Sequence, residues 1–134
     1  MIEAIVNIRQ QIDFLWQFFV TVQIAIFALL FIYDTVVENM NVIAKAMAVL
    51  GVALFSWING NALANTYRLL DATLQQYGVW YGQPSRFEPA FLETFVKVNY
   101  ADRPMLVLVT HSTAFCVVLL ALLSRKFIQA KKPS

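Results

Sequence analysis

Charged residues are scarce in this sequence. Only 10 Lys and Arg and 8 Asp and Glu occur among 134 residues, a share of 13%, against about 25% in soluble domains. The apolar share is 60% and the mean hydropathy is +0.63, and a single domain of this size has too little interior to hide so many apolar side chains from water. A soluble monomer is therefore excluded, and the same apolar content excludes a disordered chain.

Cysteine and histidine each occur once. The lone Cys116 excludes a disulfide scaffold, and a single histidine excludes an intrachain bis-histidine haem site. The sequence has no Gly-rich phosphate loop, no CxxC pair and no paired carboxylates at membrane depth. A net charge of +2 is too small to indicate nucleic-acid binding. We therefore expect no enzyme, no metal site and no bound cofactor.

Three long apolar runs are present instead. The first, about 14–33, carries no charge and is long enough to cross a hydrocarbon core of about 30 Å. The second, about 41–60, holds only Lys45, which is close enough to one end to reach the headgroups. The third, about 104–124, is uncharged and stops at Arg125 and Lys126. These runs predict an all-α integral membrane protein with three transmembrane helices.

The long connection after the second run has helical periodicity. Its apolar positions fall at steps of four and three residues and share one helix face. We call these five residues the seam: Leu63, Tyr67, Leu70, Leu74 and Tyr77. The pattern predicts that the second helix continues beyond the bilayer to about residue 77, ahead of Gly78. Because apolar side chains outside the bilayer need a cover, the seam is also predicted to bind a partner.

A short helix is predicted at about 86–98. Ser85 and Glu88 have the spacing of a capping box, and Phe87, Phe91 and Phe95 lie on one side of the helix that follows. Such a helix would lie in the membrane interface or dock on the long helix. With no repeat and no linker, residues 1–134 are predicted to form one membrane domain with an extramembrane helical loop at 61–103.

Four polar residues near the spans are candidate functional residues. His111 lies about two turns into the third span, where an ionisable side chain suggests function. It could ligate haem, bind a quinone or pass a proton, but we favour a hydrogen bond to another helix. Asp13, Gln17 and Thr21 recur at steps of four along the first helix. Such a stripe lines a pore or, more commonly, packs between helices.

These features favour a small, non-catalytic membrane subunit that forms an oligomer with itself or serves as an accessory component of a larger membrane complex. Its expected partners are the lipid bilayer and either itself or another membrane protein. A pore-forming protein is the first alternative. In outline, three spans and a basic tail resemble the three-span phage holins, although no motif is shared and the long loop departs from their compact plan. A redox subunit that binds haem or quinone at His111 is the second alternative.

Orientation is predicted from the positive charges. The two sides of the membrane receive similar numbers of Lys and Arg, but the C-terminal tail concentrates four of them next to the third span: Arg125, Lys126, Lys131 and Lys132. Basic residues close to a span favour the cytoplasmic side. We therefore expect a cytoplasmic C-terminus in a bacterial inner membrane.

Overall fold

A computed structural model describes residues 2–81, 90, 94 and 98–129 of the chain. The described residues form four helices: α1 Ile2–Ile32, α2 Asp34–Asn39, α3 Val42–Tyr81 and α4 Arg103–Gln129. Helices α1, α3 and α4 are long and apolar enough to cross a membrane. The prediction of an all-helical protein with three spans is therefore confirmed.

Helix α1 begins much earlier than the predicted span. It contains 31 residues and starts at Ile2, so its first three turns precede the apolar run. Ile5, Ile8 and Ile12 are buried on one side of this extension. Their spacing of three and four residues is a helical signal that is present in the sequence. The extension is stable as a helix because this apolar face packs on α3.

Helix α3 runs without a break through both the span and the extramembrane connection. It has 40 residues and is therefore about 60 Å long at a rise of about 1.5 Å per residue. The side-chain oxygen of Asn41 accepts a hydrogen bond of 2.7 Å from the backbone N–H of Ala44, which caps the start of the helix. The helix passes through Gly78, its predicted end, and continues to Tyr81.

Helix α3 is antiparallel to both α1 and α4, and the extramembrane core lies along its second half. The seam residues Leu63, Tyr67, Leu70 and Tyr77 belong to one buried cluster with the isoleucines of α1, and Leu74 is partly buried against it. A hydrogen bond of 3.0 Å from Trp16 Nε1 to the Tyr67 hydroxyl adds a polar link between α1 and α3.

The seam is thus covered from within the chain. The sequence pattern predicted that this face binds a partner, with the short helix at 86–98 as a possible cover for part of it, because the first predicted span started only at residue 14. Residues 2–13 of α1 supply that cover instead, with Ile5 and Ile12 almost inaccessible to solvent. In this packing the seam contacts α1 and is not exposed to a second chain. The predicted short helix at 86–98 lies, apart from residues 90, 94 and 98, outside the described residues.

The two neighbouring leucines at positions 69 and 70 test this packing. Leu70 is fully buried, whereas Leu69 is 53% exposed. We expect Leu70→Glu to lower the free energy of unfolding by about 3 kcal/mol or more, because a carboxylate replaces a buried apolar side chain. The measurement is the thermal melting of helix content in detergent, together with proteolysis of the extramembrane region.

Leu69→Glu is the matched control and should change stability by no more than about 0.5 kcal/mol. Equal destabilisation by the two variants would contradict the assignment of the seam to the interior of the chain.

Candidate functional site

A buried polar contact joins the helices at the level where α3 leaves its apolar run. His111 on α4 and Asn59 on α3 are each only 4% exposed. The Nε2 atom of His111 lies 2.9 Å from Oδ1 of Asn59. Nδ1 of the same ring lies 2.9 Å from the carbonyl oxygen of Val107, one turn earlier on α4. Both ring nitrogens are therefore engaged by oxygen atoms of the chain.

Helix α1 closes the site from the other side. The Asn59 amide donates a long hydrogen bond of 3.5 Å to the carbonyl oxygen of Leu15. The ring centroid of Phe19 lies 4.0 Å from that of His111, and the indole of Trp16 lies 5.8 Å away. Three helices thus meet at one histidine–asparagine pair, and Trp16 and Phe19 cover the side of the pair that faces α1.

Position 60 on α3 has no room for a large side chain beside His111. A Cβ atom at position 60 would lie 3.4 Å from Cγ and Cδ2 of His111. A methyl group would just reach van der Waals contact, and a larger side chain would have to displace the imidazole. The residue that follows Asn59 must therefore be small, so that the His111 ring fits against α3.

The hydrogen bonds restrict the protonation of the imidazole. Because a carbonyl oxygen only accepts, the Val107 contact requires a proton on Nδ1. A protonated ring then donates from Nε2 to Oδ1 of Asn59. A neutral ring instead accepts at Nε2, and the Asn59 amide must then turn so that Nδ2 faces the ring and no longer donates to the carbonyl oxygen of Leu15. An asparagine, which both donates and accepts, can pair with either form of the ring.

Ligation of a metal or haem would require one of these two hydrogen bonds to break. No cluster of three His, Cys, Asp or Glu side chains suited to a metal ion occurs among the described residues.

The hydrogen bonds of the pair hold the three helices in one register. His111, predicted as an interhelical residue and as a low-ranked cofactor ligand, faces Asn59 across the α3–α4 contact.

The predicted stripe on α1 faces away from this site. Asp13, Gln17 and Thr21 are exposed, with Asp13 at the flank of the buried face and Gln17 and Thr21 on the opposite side of the helix. Asp13 forms an ion pair of 3.5 Å with Arg9, and the Thr21 hydroxyl donates to the carbonyl oxygen of Gln17 over 2.8 Å. Within the described part of the chain, the Gln17 side-chain amide has no hydrogen-bond partner. The structure therefore does not bring these three residues together with His111.

Sequence analysis missed two buried polar residues, Gln23 and Ser56. They are 7% and 8% exposed, and neither side chain has a hydrogen-bond partner among the described residues. Gln23 could have been found from its spacing, because it lies four residues after the buried Phe19 and seven before the buried Leu30.

Outside the bilayer, Tyr100 packs beside the seam residue Tyr67. Its hydroxyl donates to the carbonyl oxygen of Thr94 over 3.2 Å. Burial raises the pKa of the Tyr100 phenol, although Arg9 and Arg103 act in the opposite direction. The phenol therefore stays protonated and keeps its donor role at neutral pH.

No protein-family model, no curated protein and no solved structure matches this chain. The fold and the site themselves define its class, a three-span helical membrane protein whose helices meet at a buried histidine–asparagine pair.

Substitution of His111 tests the contribution of this pair. His111→Leu leaves Oδ1 of Asn59 without its partner, and we expect it to lower stability by about 1 to 2 kcal/mol, the scale of a membrane hydrogen bond. His111→Gln should be milder, because an amide can still donate and accept. Thermal melting in detergent measures both variants.

Thr110→Leu, at the exposed position next to His111, is the control and should melt like the unchanged protein. The assignment fails if His111→Leu melts no lower than His111→Gln, or if a visible absorption band is present in the unchanged protein and lost in the glutamine variant.

Proposed function

We propose that this chain is a non-catalytic membrane subunit that acts by binding other transmembrane helices, in a homo-oligomer or as an accessory component of a larger complex. The observation that carries the proposal is the outward-facing stripe on α1. Gln17 and Thr21 lie on the side of α1 opposite the chain's own helices, within the apolar run that crosses the membrane.

A side-chain amide that faces hydrocarbon is costly unless another group binds it. Interhelical hydrogen bonds from Gln and Thr are a common means of association in membranes. The same face continues into Ala25, which is exposed and four residues after Thr21. Small residues at this spacing let a second helix approach closely, so the face offers both polar contacts and close packing.

The non-catalytic part of the proposal is supported by the chemistry of His111. Its two nitrogens are already paired with Val107 and Asn59, so the ring has no free lone pair for a haem or a substrate. A redox role at this residue has less support than association for the same reason.

A pore is the second candidate, and the same exposed stripe favours it. Several copies that turned Gln17 and Thr21 toward a common axis would line a polar channel. Association through α1 is shared by the two candidates, and they differ in whether small solutes cross the membrane.

The double variant Gln17→Leu with Thr21→Val tests association. It replaces the polar groups with apolar ones of similar size on a face that the chain's own core does not use. We expect the oligomer or complex seen by crosslinking in membranes and by native mass spectrometry to be largely lost, with insertion and melting unchanged. The masses of the intact complexes also distinguish self-association from binding to a different protein.

Thr110→Val on α4 is the matched control, since Thr110 is likewise exposed and donates to a carbonyl one turn earlier. An assembly that persists in the α1 variant would remove the support for this face. Leakage of a small dye from vesicles that contain the unchanged protein, and its loss in the α1 variant, would favour the pore over the accessory subunit.

We also propose that the C-terminus lies in the cytoplasm of a bacterial cell, on the strength of the four basic residues after the third span. A fluorescent protein that matures only in the cytoplasm should be bright when fused after Ser134. An active alkaline phosphatase at the same position would reverse the orientation.

A further inference from the structure

A groove on the outer side of α3 and α4 remains after the bundle has been assembled. It encloses about 280 Å³ and runs along α3 from Ala53 to Arg68. Its walls are largely apolar, with Trp57 and Ala64 on α3 facing Leu108 and Phe115 on α4. Ala53 to Ala64 corresponds to about 16 Å of helix, so the groove can hold a large part of one extended acyl chain.

Arg68 lies at the end of the groove toward the membrane surface. Helical side chains point toward the N-terminus of their helix, which on α3 is the direction of the bilayer. The Arg68 guanidinium accordingly reaches back and donates to Oδ1 of Asn65 over 3.1 Å. Within the part of the chain that the structure describes, no carboxylate lies within 4 Å of it. Its charge is available to an anion at headgroup depth.

A second cavity adjoins the groove, because Arg68 and Leu108 line both. It encloses about 420 Å³ and is also lined by Asp71 and Tyr100. Asp71 lies one turn beyond Arg68, about 4.5 Å further from the bilayer. One of its carboxylate oxygens accepts from the Gln75 amide over 3.0 Å, and the two charges do not form an ion pair with each other.

From the bilayer outward, the chain thus presents an apolar groove, a cation and then an anion. A zwitterionic phospholipid has the complementary order of acyl chain, phosphate and ammonium. We propose that this surface binds one phospholipid whose head ends in a primary ammonium, with the phosphate on Arg68 and the ammonium on Asp71. The site is separate from the α1 face and does not depend on oligomerisation.

The two ends of the lipid head have different roles in binding. A phosphate accepts hydrogen bonds from a guanidinium in any phospholipid, so Arg68 supports retention without selecting among heads. A primary ammonium donates N–H hydrogen bonds to a carboxylate, whereas a trimethylammonium has no N–H and a glycerol head has no charge to pair. Asp71 therefore selects the primary ammonium.

The test uses the full-length protein in nanodiscs that contain equal amounts of dioleoyl phosphatidylethanolamine, phosphatidylcholine and phosphatidylglycerol. Native mass spectrometry then reports which lipid each protomer retains. We expect the ethanolamine lipid to be enriched about threefold or more over each of the others, consistent with one partly exposed charge-assisted contact. Equal retention of the three lipids would overturn the proposal.

Variants separate the two charges. Asp71→Asn should remove the preference for the ethanolamine lipid while lipid retention continues, and Arg68→Gln should lower retention of all three lipids about threefold to tenfold. The exchange Arg68→Asp with Asp71→Arg keeps the net charge but inverts the order of the charges, and it should also abolish the preference. A preference that survives this exchange would contradict the proposal.

Asp13→Asn and Lys45→Gln are the controls, since they remove a carboxylate and a cation outside the groove and should leave selectivity unchanged. Thermal melting of each variant shows that any loss of selectivity occurs in a folded protein. A lipid-free dimer in which Trp57 is shielded from a lipid-soluble quencher would also overturn the proposal, because a second copy would then occupy the groove.

Discussion

A polar pair buried where three helices meet is the constraint on which the rest of the bundle depends. Neither His111 nor Asn59 has access to water, so each must find its hydrogen-bond partner in the protein. The bond between them forms only in one register of α3 against α4, since a slide of either helix would separate Nε2 of His111 from Oδ1 of Asn59. The lack of a large side chain at position 60 leaves room for the imidazole, and the α1 residues Trp16 and Phe19 close the third side.

Because α3 is one unbroken helix, the register set at Asn59 also determines what happens outside the membrane. Two to five turns further along α3, Tyr67, Leu70 and Tyr77 face the isoleucines of α1 and cover them. The membrane part and the extramembrane part therefore share a single rigid element. Neither half of α1 can shift along α3 without disturbing both the polar pair and the apolar cluster.

The surfaces that remain exposed differ in chemistry on the different sides of the bundle. Gln17 and Thr21 give the outer face of α1 polar groups at membrane depth, which suits another helix. The α3–α4 side instead has an apolar groove followed by Arg68 and Asp71, which suits a lipid with separated charges. The two proposed contacts use different helices, so one protomer has room for both at once.

The three spans and the extension of α3 could be derived from the sequence, because each depends on local composition or on helical periodicity. The partner of His111 could not be derived, since Asn59 lies 52 residues away and only the packing of α3 on α4 brings the two together. For the same reason the sequence located a polar stripe on α1 but not its direction, and Gln17 points outward while Gln23 is buried. Local patterns in the sequence determine which segments are helical and which helix faces are apolar. Which face of one helix packs on which face of another depends on contacts between distant parts of the chain, and only the tertiary structure decides these.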